Sequence, residues 1–225
     1  MHVPDGFLSP QTYLPAYAVA GVAWLWAARG LRRELDDQTV PKLAAMTALA
    51  YGLGLIMLPI PGGTSGHLLG VAMLALLFGV RLAFLSYSLV LLLQSLLFGA
   101  GGITALPVNA LAMGLAGAGV AALVFHALRR LGEPMAVVLA AWCSVMLPGL
   151  IVGLVLGLQP LIAQRPDGTP LFFPFGFSIV LPAVLVPHAV IGVGEAALTL
   201  VVWRFARSRG WRPGLSRRSG AEGRT

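Results

Sequence analysis

One cysteine, one lysine and eight acidic residues are all that this chain of 225 residues holds of those types. The lone Cys143 lies inside an apolar run, which excludes a disulfide framework and a cysteine-based metal site within the chain. The lone Lys42 follows Pro41, and no G-x-x-x-x-G-K-[ST] run occurs, so the chain has no phosphate-binding loop with which to hydrolyse ATP. Charge is scarce altogether: 10% of residues are charged against 58% hydrophobic, and the mean hydropathy is +0.87. That balance excludes a soluble domain of this length and is the composition of a polytopic membrane protein. The net charge of +7 would suggest nucleic-acid binding only until the positions of the charges are considered.

Apolar stretches long enough to cross a bilayer as helices recur along the chain. Seven spans are expected, at 13–29, 43–58, 67–80, 83–98, 108–128, 135–158 and 178–203, separated by breakers at 59–66, 99–107, 132–134 and 159–176. The third and fourth are short and joined only around Arg81, so one of them is tilted, partly re-entrant or buried in protein. Fourteen of the 15 basic residues, all but Arg165, fall on one side if the N-terminus is outside and the C-terminus cytoplasmic. An odd number of spans in that orientation satisfies the positive-inside rule. The expected fold is all-α: one seven-helix transmembrane domain over residues 1–203, in a bacterial or archaeal inner cell membrane. A basic, disordered cytoplasmic tail follows over 204–225, near anionic lipid. Basic residues are absent from the first 28 positions and no A-x-A site follows an apolar run. No cleavable signal peptide is therefore expected, and Met1 is expected to survive, because a bulky second residue blocks methionine removal.

The chain opens Met1-His2-Val3-Pro4-Asp5-Gly6. An N-terminus followed by histidine can grip a metal through the α-amine, the amide nitrogen of His2 and its Nδ1, closing a five- and a six-membered chelate ring in one plane. A fourth nitrogen then completes a square, the geometry of Ni(II) or Cu(II) rather than of tetrahedral zinc. A candidate fourth donor is His67, at the end of Gly62-Gly63-Thr64-Ser65-Gly66-His67. Glycines there allow a tight turn to deliver the side chain into a confined site, and Ser65 is placed to cap a helix starting near His67. Each feature alone has a plainer reading: a solvated histidine on a frayed end, and an ordinary interhelical turn. The expected topology joins them, since both histidines fall on the external side.

Met1-His2 with Asp5-Gly6-Phe7-Leu8, and Gly62-Gly63-Thr64-Ser65-Gly66-His67-Leu68-Leu69-Gly70, resemble the nickel/cobalt substrate-binding (S) components of energy-coupling factor transporters, the NikM/CbiM type. Phe98-Gly99-Ala100-Gly101-Gly102-Ile103-Thr104-Ala105-Leu106-Pro107-Val108-Asn109 looks like that family's Gly-Gly-[Ile/Leu]-Thr-x-Leu-x-x-Asn stretch, and His188 to Glu195 is similar to its last-span segment. The resemblance implies a seven-helix S component whose N-terminal segment tucks inward. It implies Ni2+ (or Co2+) as transported substrate, held by the Met1 amine, the His2 backbone and imidazole nitrogens and the His67 imidazole. It also implies partners: a transmembrane coupling (T) subunit that contacts an Ala-xxx-Ala surface on the first span, cytoplasmic ATPase subunits, and a small accessory membrane subunit in some systems. This chain departs from the pattern at Ala100, where the family often has His or Asp, and near Pro107, where it often has Gly.

Other polar residues lie in or at the spans. Gln94 and Asn109, with Ser65, are placed to hydrogen-bond the metal loop or to hold helices together. His126 reads as an interfacial or helix-capping residue. Glu195, the only acid well inside a span, shares a helix face with His188; a structural hydrogen bond to a neighbouring helix is the leading reading, a functional acid the other. Gly149, Gly153 and Gly157, and the alanines Ala16, Ala20, Ala23 and Ala27, are spaced for close helix packing. Two other functions compete. Gly63-Thr64-Ser65-Gly66 matches the G-x-S-G of intramembrane serine proteases, with His188 as base, but this leaves the Met1-His2 opening unexplained. A stand-alone ion-coupled metal permease would want paired carboxylates near the midplane, and only Glu195 offers one.

Overall fold

The structure, a computed structural model, describes residues 2–60 and 64–211. Nine helices and one small hairpin are present among them. In chain order they are α1 (Pro10–Ala28), α2 (Leu31–Glu34), α3 (Thr39–Leu55), β1 (Leu58–Ile60), β2 (Thr64–Gly66), α4 (Val71–Phe78), α5 (Val80–Phe98), α6 (Leu106–Asn109), a π-helical turn (Ala110–Ala116), α7 (Gly117–Leu128), α8 (Glu133–Ile162) and α9 (Phe177–Ser208). Helix starts and stops follow the local chemistry. Pro10 and Pro134 sit in the first turn of α1 and α8, where a missing N–H is harmless, and α5 stops at Gly99, whose φ of 62° suits a left-handed cap.

All the long elements are helices, as expected, and seven of the segments overlie the seven expected spans. Four are long and apolar enough to cross a membrane by length and composition: Val80–Phe98, Leu106–Leu128, Glu133–Ile162 and Phe177–Ser208. The third expected span is much shorter than 67–80. Its helix, α4, has eight residues, and Val71 through Leu77 are all buried. A helix apolar on every side belongs in the middle of a bundle, and α4 packs against α3, α5, α7, α8 and α9. Gly79, at φ 89°, separates it from α5. The 59–66 breaker contains the hairpin, with Pro59 opposite Ser65. The helix α9 runs on to Ser208, and residues 212–225 of the expected tail lie outside the described residues.

The small-residue stripes serve packing within the chain. A Cβ at Gly153 would lie 3.0 Å from Leu181 Cδ2 and one at Gly157 2.5 Å from Phe177 Cδ1, so these glycines let α8 close on α9. Ala20 and Ala27 are fully buried against the bundle, whereas Leu14, Val19, Val22 and Leu25 on α1 are exposed. At the end of the bundle holding Arg81, the guanidinium ties three elements together. Its Nε and Nη2 donate to Ala27 O at the end of α1, and its Nη1 to Glu34 of α2 at 2.7 Å.

A candidate metal centre under a docked N-terminal segment

Residues 2–9 form no helix; they run across the opposite end of the bundle and are fastened residue by residue. The Val3 N–H donates to Asn109 Oδ1 (3.0 Å), and Val3 O accepts from Asn109 Nδ2 (3.1 Å) and from the Gly102 N–H (2.9 Å). The Asp5 carboxylate accepts from the amides of Ile103 (3.1 Å) and Thr104 (2.8 Å) and from the Thr104 hydroxyl. Those bonds hold the Asp5 carboxyl below the usual carboxylate range, the Thr104 hydroxyl first among the causes. The Ser9 N–H donates to Gln159 Oε1 at 2.9 Å. Val3 and Leu8 are buried and pack with Ala105, Val108, Val152, Leu156 and Val180. Each such side chain contributes roughly 1.5–3 kcal/mol on burial. Phe7 lies against Phe173 of the 163–176 loop, ring centroids 5.3 Å apart.

Two glycines make this approach sterically feasible. A Cβ at Gly102 would overlap the Asp5 backbone nitrogen and lie 2.7 Å from its Cγ, and one at Gly101 would lie 3.3 Å from His2 Cβ. The Gly101-to-Asn109 stretch is therefore the receptor for the opening residues. Its glycines admit the segment, Ile103 and Thr104 bind Asp5, and Asn109 binds Val3.

The consequence for His2 is that its ring lands on that of His67, with centroids 4.6 Å apart and planes 25° from parallel. The Nε2 atoms of both rings are buried and have no hydrogen-bond partner among the described residues. His67 Nδ1 lies 2.9 Å from Leu68 O. A carbonyl only accepts, so Nδ1 carries the proton and the lone pair resides on Nε2, the arrangement usual for metal-binding histidines. Burial pushes His67 down to about 4 and His2 well below its ordinary value, with the neighbouring His67 ring adding to the effect on His2. Both rings are thus neutral near pH 7, the form that binds metals. Among the described residues no group of three or more His, Cys, Asp or Glu is placed to hold a metal ion. The two imidazoles are the side-chain donors on offer, and further donors would come from the main chain.

The other expected site residues are distributed as follows. Met1 and the side chain of Ser65 lie outside the described residues. Ser65 is in strand β2, and α4 starts only at Val71 with Gly70 at its cap, so the helix expected near His67 begins later and Ser65 is not at its cap. Asn109 acts on the backbone of Val3. Gln94 is buried on α5 over Gly54, where any Cβ would overlap its Nε2, and its Oε1 has no partner among the described residues. His188 Nδ1 contacts Val184 O one turn back at 2.6 Å, and His126 Nδ1 contacts Ala122 O in the same way. Glu195 is fully buried and accepts from the backbone amides of Leu69 and Gly70, both at 2.8 Å. It thus bonds the turn entering α4, within three residues of His67. Asp5 and Thr104 stand in the sequence only as members of motif segments and Gln159 only at the edge of a breaker, with no site role expected of any of the three. A polar residue in an otherwise apolar run was the signal available for Gln159.

Fold and site together define an integral membrane protein with a buried histidine pair beneath a docked N-terminal segment. The profile of the family described as cobalt uptake substrate-specific transmembrane region matches residues 2–213. The chain is 36% identical over 92% of its length to a probable fused nickel transport protein, LarMN, of Lactiplantibacillus plantarum. It is 36% identical over 90% of its length to the fused nickel transport protein NikMN of Rhodobacter capsulatus. It spans 64% and 61% of those two relatives, respectively. A crystal structure of a truncated transition metal transporter superposes with a TM-score of 0.88 at 33% identity, covering 93% of this chain and 99% of that one. The chain belongs to this nickel and cobalt transport family.

Proposed function

We propose that the protein is the substrate-binding subunit of an ATP-driven energy-coupling factor transporter. It captures Ni(II), with Co(II) the second candidate, at the external face of the cell membrane. The ion is held in a square of four nitrogens: the Met1 amine, the His2 amide and Nδ1, and His67 Nε2. One observation carries this reading: the docked segment stacks His2 on His67, whose buried Nε2 has no partner among the described residues. Four nitrogens in a plane favour nickel. Seven spans with the N-terminus outside fit the distribution of charge. The metal end carries the N-terminal segment and the 163–176 loop, while Arg81, Glu34 and the basic helix ends lie at the other. A sequence without a phosphate-binding loop supports an energy supply from partner ATPases acting through a coupling subunit, and the fused nickel transport proteins among the relatives fit a system of several components. Displacement of the docked segment would break the chelate and release the ion.

The test is Ni(II) and Co(II) binding to purified protein by calorimetry and visible absorption. Wild type is compared with His2→Ala, His67→Ala and a form with one residue added before Met1. A near-stoichiometric square-planar d–d band lost in all three variants is expected. Normal binding by the extended form would remove the terminal amine from the site and refute the proposed donor set.

A further inference from the structure

Among the described residues Glu195 is the one acid well inside a helix of the bundle. Both of its carboxylate oxygens are occupied, Oε2 by the Leu69 N–H and Oε1 by the Gly70 N–H. The geometry is arranged on both sides. Gly70 holds φ at 71° and presses on Ala50, where a Cβ would lie 3.0 Å from Ala50 Cβ. Gly194 lets α9 approach Leu68, with a Cβ there 3.2 Å from Leu68 Cδ2. The carboxylate also faces the N-terminal end of α4, where the helix dipole favours negative charge. The N–H of Leu69 and the C=O of Leu68 belong to a single peptide group. One side of that group donates to Glu195; the other accepts from His67 Nδ1 at 2.9 Å.

We infer that Glu195 is a positioning residue for the metal site, acting on His67 through the Leu68–Leu69 peptide. Hydrogen bonds in a chain polarise one another. A carboxylate drawing on the Leu69 N–H makes Leu68 O a stronger acceptor, which fixes the proton on His67 Nδ1 and leaves Nε2 a more basic lone pair. Metal-binding histidines ordinarily receive such support from a carboxylate or a carbonyl; here the carbonyl is Leu68 O, and the carboxylate stands on the far side of the same peptide group. The inference rests on the reading above in taking His67 as a ligand.

The experiment uses the full-length protein labelled with 15N at histidine. Its four histidines are resolved by comparison with His67→Ala, and spectra are recorded first without metal. Wild-type His67 is expected to show a proton on Nδ1 and a bare Nε2. In Glu195→Gln, which keeps the shape but loses the charge and one acceptor, that single tautomer becomes a mixture and nickel affinity falls about 10- to 100-fold. The d–d band at saturation keeps its position because the ligands are unchanged. Glu195→Asp keeps the charge but withdraws it by one methylene; it gives an intermediate loss and carries the comparison if Glu195→Gln does not fold. A wild-type His67 protonated on Nε2 overturns the inference. So does a variant that loses affinity with the His67 signals unmoved, or one that changes neither. Failure of the wild type to bind nickel would refute the transport reading, while the metal-free tautomer still decides this one.

Discussion

Gly102→Ala is a one-carbon change at a residue that is not itself a proposed ligand, yet it should weaken the metal site. The new Cβ would overlap the Asp5 backbone nitrogen and lie 2.7 Å from Asp5 Cγ. Because backbone stands in the way, no side-chain rotation relieves the overlap, and the opening segment must lift. Lifting it breaks the Gly102 N–H bond to Val3 O and the bonds from Ile103 and Thr104 to Asp5. A typical hydrogen bond contributes about 0.5–1.5 kcal/mol net, and more to a charged group when buried. The Asp5 bonds are largely exposed, so each counts at the low end of that range. Together they come to about 2–3 kcal/mol, or roughly 30- to 150-fold in nickel affinity. The helices themselves are untouched, so the helical circular dichroism of the metal-free protein should be unchanged. The assay is nickel titration by calorimetry with the d–d band in parallel. Gly119→Ala serves as control, because a Cβ there meets nothing within 4 Å. If Gly102→Ala binds nickel as wild type does, the docked segment is not what brings His2 to His67, and the site as proposed falls.

Asn109→Leu removes both bonds to Val3 and leaves its buried N–H without a partner, a loss of about 1–3 kcal/mol, so nickel affinity should drop at least fivefold with the fold retained; unaltered affinity would argue against the clamp. His67, depressed to about 4, stays neutral in the docked state where a free imidazole would already be charged. Docking should therefore be complete above pH 6.5 and weaken as pH falls toward 4; a His67 midpoint near 6.5 in the 15N spectra would show an open ring. Gly157→Val drives a side chain into Phe177, and overpacking of this kind costs typically 1–3 kcal/mol. Its unfolding temperature in detergent should fall while nickel stoichiometry holds, and an unchanged temperature would mean that α8 and α9 do not meet there.

The helices were legible because each is a one-dimensional property of the chain: an apolar run of sufficient length between proline or glycine breakers. α4 is shorter than expected because the apolar run from Leu68 through Val80 has no charged residue to break it, whereas the helix's start is set by Gly70 and its end by Gly79. Pairing His2 with His67 needed only the topology that places both at one end. What held them there was less visible. Asp5 reads as a solvated acid near a terminus until Ile103 and Thr104 present their amides to it, and those residues are distant in sequence. Glu195 shows the same limit more sharply. A buried acid signals that something polar faces it, but the sequence pointed to a helix as the partner, and the partner is the backbone of Leu69 and Gly70. Main-chain amides have no residue code. Wherever a carboxylate is satisfied by them, as at both Asp5 and Glu195, the sequence gives the acceptor and conceals the donor. A site whose proposed ligands include a backbone nitrogen is therefore least readable at the contacts that build it.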